Sequence, residues 1–350
     1  MARSPKKRSY TIDFHAHMVL PEAVAFAAKH GMVPEVAKMA RAKLIPIGKA
    51  RQRGNFPLSK IKAKDKAAAV AVRMVDPKLQ IKDMDDRGVD INVLTASLVH
   101  QCTYNGDPVK ALEIERKTND RMAEFVAYDP DRFVGLGSVP LQDTRKAVKE
   151  LERCMGELGL RGVQISSMAG KRELGDAKLD PFWAKAEELK ATIFIHPAGL
   201  TGPRYQNHQL WNSIGQPLEE TMAMSSLIHE GVMDKFPKLK ICVAHGGGYL
   251  PFYAGRADRN YKDKPHTRGP MTKSPSQYLK QFYYESCLYN VDMLEYLIGK
   301  VGPNRIVMGS DYPVGESDPV GFIRNSRKIS KENKEKILWK NAARILGLRL

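Results

Sequence analysis

Four short apolar runs in this chain each end on a side chain that can bind a metal ion or carry a proton, and that recurrence limits the folds open to it. They are Tyr10-Thr11-Ile12-Asp13-Phe14-His15-Ala16-His17, Ile193-Phe194-Ile195-His196-Pro197, Ile241-Cys242-Val243-Ala244-His245-Gly246 and Ile306-Val307-Met308-Gly309-Ser310-Asp311. Each places its polar residue where a buried strand would end. Alternation along a strand puts the imidazoles of His15 and His17 on one face, which makes half a metal site on one rigid element. A lone His-x-His is a weak signal. Four strand ends converging on three or four His and one Asp are hard to explain as packing, and they argue for metal-dependent catalysis.

The rest of the chain has the rhythm such a convergence needs. Strand-like runs at 10–16, 90–96, 133–139, 162–166, 191–196, 240–245, 282–287 and 305–310 alternate with helix-periodic segments, the pattern of a parallel α/β fold. Eight such strands close a (β/α)8 (TIM) barrel, with its functional residues at the strand C-termini. The clearest helix spans 143–158: Asp143 is the expected N-cap, Ala147, Val148, Leu151, Cys154, Met155 and Leu158 form an apolar stripe, and Gly159 stops it. Similar helices fit 108–127, 181–190, 218–232 and 330–346. The first two strands stand about 70 residues apart, far more than one crossover helix requires. We therefore expect a single domain over 1–350: a first strand and helix in 10–31, a basic, loop-rich cap in 32–75, and the remaining barrel in 76–350. The cap would lie beside the barrel mouth, where Arg51, Arg53 or Arg73 could meet substrate.

Bulk composition narrows the function. No apolar run approaches the roughly 20 residues needed to span a bilayer, and the basic cluster Arg3, Lys6, Lys7, Arg8 leads into a polar-interrupted strand, not a secretory leader. Cys102, Cys154, Cys242 and Cys287 have no C-x-x-C spacing and read as buried free thiols of a reducing, cytoplasmic compartment. The formal charge is +17, and residues 1–90 carry 19 Lys+Arg against nine Asp+Glu. Those cations are scattered and match no nucleic-acid motif, so solubility or steering of an anionic small molecule is expected, with neither nucleic acid nor membrane as partner.

A catalytic zinc takes three protein ligands and keeps a position open for water, whereas structural zinc is closed and usually cysteine-rich. His15, His17 and His196 supply nitrogen ligands and Asp311 an oxygen ligand, which leaves His245 free as an acid or base. Asp13, one alternation deeper, could support the ligands through hydrogen bonds. Imidazole and carboxylate also suit other divalent ions, so zinc is the first expectation and manganese the second. The fourth strand ends Val163-Gln164-Ile165-Ser166-Ser167 and offers no lysine to bridge two metals, so one ion is expected. Gly246-Gly247-Gly248 allows close backbone approach after His245, and Arg256 could grip a carboxylate bidentately.

These motifs resemble the amidohydrolase superfamily, specifically the branch containing aminocarboxymuconate semialdehyde decarboxylase. Asp13-Phe14-His15-Ala16-His17, Phe194-Ile195-His196-Pro197, Ala244-His245-Gly246-Gly247-Gly248 and Gly309-Ser310-Asp311-Tyr312-Pro313 carry the resemblance. Asp76-Pro77 with Met84-Asp85, Arg132 to Gly137, Phe236 to Lys240, and Asn341-Ala342 with Leu346 to Leu348 extend it nearly end to end. The resemblance implies ligation by His15, His17, His196 and Asp311, an acid/base role for His245, and a homodimer in which Arg256 binds the substrate carboxylate of the neighbouring subunit. It also implies that Trp211 forms an aromatic wall of the pocket. One departure bears on substrate: Lys66 to Arg73 has alanine or valine where the decarboxylase carries a substrate-binding arginine, with Arg73 out of register.

The expected activity is metal-dependent, non-oxidative decarboxylation of an aromatic or ring-opened unsaturated carboxylic acid. The rival is hydrolysis or hydration of an amide, ester or ring-cleavage product at the same site. A distant alternative is a non-catalytic protein that binds a metal or a polyanion.

Overall fold

The computed structural model describes residues 9–30, 38, 66–96, 103–200 and 202–350, side chains of 66–69 excepted. Most of the expected cap, with Arg51 and Arg53, lies outside the described residues, as does Cys102.

Eight parallel strands follow one another where the sequence places them: β1 (Ile12–His17), β2 (Ile91–Thr95), β3 (Phe133–Gly135, continued by Gly137–Ser138), β4 (Gly162–Ile165), β5 (Thr192–Ile195), β6 (Lys240–Val243), β7 (Tyr283–Glu285) and β8 (Ile306–Val307). Each pairs in parallel with the next. The ring closes between β8 and β1, where Phe14 N donates to Met308 O at 2.8 Å and His17 N to Tyr312 O at 3.0 Å, with a parallel bridge between Ala16 and Tyr312. This is the (β/α)8 barrel expected from the eight runs.

The crossover segments are helical for local reasons. After α1 (Pro21–Ala27) and α2 (Lys66–Arg73), α3 (Pro77–Arg87) starts on Asp76, whose carboxylate accepts from Lys78 N at 3.0 Å, and stops at Gly88 in the left-handed region. The Asp76-Pro77 motif is thus a helix start. The same device, an aspartate N-cap, opens α4 (Pro108–Tyr128) at Asp107 and α5 (Thr144–Gly156) at Asp143. Three more helices, α6 (Asp180–Glu188), α7 (Gln216–His229) and α8 (Gly255–Asp263), lead to α9 (Val291–Val301). The closing helix α10 runs from Lys331 to Leu346 with a wider turn over Lys336–Lys340. Asn341 fastens α10 to the barrel, donating to Pro303 O at 2.8 Å and Ile306 O at 2.7 Å.

Two differences from the sequence reading concern short elements. Lys66–Arg73, expected within the loop-rich cap, is helical, because an alanine-rich stretch without Gly or Pro favours helix. Its Arg73 is taken up by Asp83 of α3 at 2.6 Å. A small antiparallel hairpin, Met168–Ala169 with Arg172–Glu173, follows β4 and is too short to leave a period in the sequence. Cys154, Cys242 and Cys287 are buried free thiols, as expected. None of the described helices is long and apolar enough to cross a membrane.

Candidate active site

The C-terminal edge of the barrel gathers the singled-out histidines and aspartate into one cluster. The His15 ring centroid lies 4.8 Å from that of His17, 4.9 Å from His196 and 5.4 Å from His245. Ligand-competent atoms of His15, His196, His245 and Asp311 all fall within 4.8 Å of one another, and His17 joins them with Nε2 at 2.8 Å from Asp311 Oδ1. Phe194, two residues before His196 on β5, packs edge-on against His15 at 5.0 Å between centroids and forms an apolar contact beneath the cluster.

Neighbouring groups fix which nitrogen of each ring faces inward. The Thr95 hydroxyl donates to Ala16 O at 3.2 Å, so it accepts from His17 Nδ1 at 2.9 Å. His196 Nδ1 lies 3.0 Å from Pro197 O, an atom that only accepts. With Nδ1 carrying the hydrogen in both rings, Nε2 is the nitrogen on the Asp311 side and would offer its lone pair to an ion held between ring and carboxylate. His15 is fully buried; Nε2 lies 3.2 Å from Asp311 Oδ1 and Nδ1 3.3 Å from Glu285 Oε1, without the alignment of a hydrogen bond.

Electrostatics separates these residues from His245. Burial, reinforced by the adjacent imidazoles, lowers the pKa of His17 and pushes that of His196 well below its ordinary value. Burial opposes ionisation of Asp311, but the surrounding imidazoles win and hold its carboxyl well below the usual range. Neutral imidazoles and an ionised carboxylate are the protonation states a metal requires of its ligands. For His245 burial pulls downward, yet Glu220 and Asp311 outweigh it and raise the imidazole well above its ordinary value. Its Nδ1 pairs with Glu220 Oε1 at 2.5 Å, while Nε2 faces Asp311 Oδ2 at 3.9 Å. Burial also raises Glu220, to about 7, with His245 opposing the rise. The pair holds a proton that the lowered rings of His17 and His196 do not.

The donor set fits one divalent cation. His15, His17 and His196 are buried beside the largely covered Asp311, and the buried His15 nitrogens face carboxylates they do not hydrogen-bond, an arrangement costly unless a cation sits among them.

Three residues that sequence reading missed complete the arrangement. Glu285, on β7, accepts from the backbone N–H groups of His245 and of Cys287, the latter at 2.8 Å, and holds His245 in the left-handed region, φ 47°. Glu220 comes from α7, and Thr95 ends β2. Alternation placed Asp13 correctly inside the barrel, but its carboxylate serves backbone rather than imidazole rings: Oδ1 accepts from His15 N at 3.1 Å and Ser310 N at 3.0 Å. Trp211 is half-buried and opens the turn after β5; its ring packs on Gly199, where a Cβ would stand 2.9 Å from Cε3. Arg256 stands exposed in the first turn of α8, with no ion pair among the described residues.

Comparison with known proteins identifies the family. The amidohydrolase family profile matches residues 12–348. The 2-amino-3-carboxymuconate-6-semialdehyde decarboxylase of Dictyostelium discoideum is 36% identical over 277 residues, 78% of this chain and 77% of its own. A gamma-resorcylate decarboxylase of Rhizobium sp. (strain MTP-10005) is 29% identical over 77% of this chain and 86% of its own. Among solved structures, a dihydroxybenzoic acid decarboxylase from Polaromonas sp. JS666, with bound manganese and 2-nitroresorcinol, superposes with a TM-score of 0.79 at 24% identity, covering 97% of each chain. With a matching profile along nearly its whole length, a closed eight-stranded barrel and a histidine–aspartate cluster at the strand ends, this chain belongs to the amidohydrolase family.

Proposed function

We propose that this protein is a metal-dependent, non-oxidative decarboxylase acting on an aromatic or ring-opened unsaturated carboxylic acid. The observation that carries the reading is His245: an imidazole raised well above its ordinary pKa, pinned at Nδ1 by Glu220, with Nε2 turned toward the metal-ligand cluster. A proton stored opposite the ligands could serve a leaving amine in hydrolysis as well as a carbon that loses its carboxylate, and the decarboxylase relatives at 36% and 29% identity favour the second use.

The ion would be held by His15, His17, His196 and Asp311. When bound it supplies positive charge that orients and polarises the substrate's oxygen atoms. His245 Nε2 delivers a proton to the carbon bearing the carboxylate; the C–C bond then breaks, its electron pair restores the unsaturated system, and CO2 departs. Glu220 keeps the imidazole oriented throughout, and solvent returns the proton to Nε2. Trp211 flanks the substrate as an apolar wall. Arg256, exposed on its own subunit, reaches the carboxylate of a partner's substrate in a homodimer. The excess of positive charge favours an anionic substrate, and the buried thiols suit a cytoplasmic setting.

Zinc leads as the ion because the set is rich in imidazole, with manganese second; the Polaromonas relative holds manganese. The test strips the protein with chelator, reloads it with zinc or manganese, and measures CO2 release from hydroxybenzoates, aminobenzoates and muconate semialdehydes. Metal-dependent release supports the reading, and the better ion names the cofactor. Metal-loaded protein that releases no CO2 across the panel contradicts it in favour of hydrolysis or hydration.

A further inference from the structure

Asp311 is a strained residue: its φ of 58° lies in the left-handed region that non-glycine residues seldom enter. Something around it must hold that backbone in place. Part of the brace is local, since Val314 N and Gly315 N both donate to Asp311 O at 2.9 Å. The rest converges on one guanidinium from outside the barrel.

Arg87, in the last turn of α3, touches Asp13 of β1 and two residues of the Asp311 segment. Its Nη2 donates to Asp13 Oδ2 at 3.1 Å and approaches Glu316 O at 3.4 Å, while the guanidinium lies 5.0 Å over the ring of Tyr312. Asp13 passes the contact on: fully buried, it accepts from the backbone of His15 and from both the backbone N–H and the hydroxyl of Ser310. Arg87 is thus linked to the residues before and after Asp311 and, through Asp13, to His15. Among the described residues it is the one cation paired with Asp13, and its Nε and Nη1 are buried without another acceptor.

We propose that Arg87 is a positioning residue for the metal site, holding Asp311 and His15 at the separation and orientation that ligation requires. This inference rests on the metal reading given above. Lysine can keep the charge beside Asp13 but cannot span Asp13, Tyr312 and Glu316 with one planar group.

The experiment loads metal-free protein with Co2+ and follows affinity together with the visible ligand-field spectrum, for the parent, Arg87→Met and Arg87→Lys. Arg132→Gln serves as control: Arg132 pairs with Asp85 at 2.7 Å at the opposite, N-terminal edge of β2 and β3. Displacing a group that orients metal ligands typically costs about 10–100-fold in affinity. We expect a loss of that size with an altered spectrum for Arg87→Met, an intermediate loss for Arg87→Lys, and parental affinity and spectrum for Arg132→Gln. If Arg87→Met does not fold, Arg87→Lys decides alone: a several-fold loss with an altered spectrum supports the assignment. An unchanged spectrum and affinity within twofold of the parent in the Arg87 variants overturns it while leaving the metal reading intact. A parent protein that binds no Co2+ overturns both.

Discussion

At the residue scale the site rests on pairing three of its imidazoles with groups that decide their protons. Thr95 and the Pro197 carbonyl leave His17 and His196 as neutral donors, while Glu220 keeps His245 charged. His245→Asn is therefore expected to retain its metal and lose turnover by about 10²–10⁴-fold, the range for removing a general acid; steady-state kinetics beside metal analysis checks this, and full activity would refute the role. The histidines were legible in the sequence because packing alone seldom requires a buried apolar run to end in His. Glu285 and Glu220 were not. A glutamate inside Tyr283-Tyr284-Glu285 or within a helix looks like any other, and its meaning comes from the imidazole that folding brings beside it.

At the element scale, helices reveal themselves by their ends and stripes, and the buried polar ties between them do not. Asp143 caps α5 as expected, accepting from Lys146 N at 3.1 Å. The joint between α4 and α5 gave no such signal. Glu150, almost fully buried, takes Arg153 Nη2 and Asn119 Nδ2, each at 2.8 Å, and Arg116 Nε at 3.1 Å. Asn119 in turn pairs with both backbone groups of Ser138 on β3. Glu150→Ala removes the acceptor for all three donors; Arg116 can turn to solvent and Arg153 keeps Asp120 at 2.7 Å, so the cost should be about 1–3 kcal/mol, that of leaving a buried donor unsatisfied, read as a lower midpoint in chemical denaturation. Glu115 of α4 makes an opposite demand. Burial raises its carboxyl well above the ordinary range, although Thr103 Oγ1 donates to it at 2.7 Å. The folded state then holds that proton more tightly than the unfolded chain, so this contribution to stability is complete at low pH and is lost as pH rises through the folded-state value. From about pH 5 upward Glu115→Gln should gain stability relative to the parent, and denaturation across pH 5–8 will show whether the difference grows.

At the scale of the whole molecule, the fold was the most legible property, because eight apolar runs alternating with helix-periodic segments leave few closed arrangements for parallel strands. The closure itself was not spelled out locally. It depends on the seam between β1 and β8, where Tyr312 N donates to His15 O at 3.0 Å and Asp13 bonds to Ser310, contacts nearly 300 residues apart in sequence. That seam joins the two ends of the barrel and carries His15, His17 and Asp311, so closing the fold and assembling the cluster are one event. Substrate choice was the least legible property, since it depends on mouth loops whose sequence carries no period. The central claim, that His245 replaces a carboxylate with a proton, is tested most directly by turnover in D2O. Decarboxylation predicts one deuterium at the carbon vacated by each CO2 released; a product that keeps its carboxylate and gains the elements of water would contradict it.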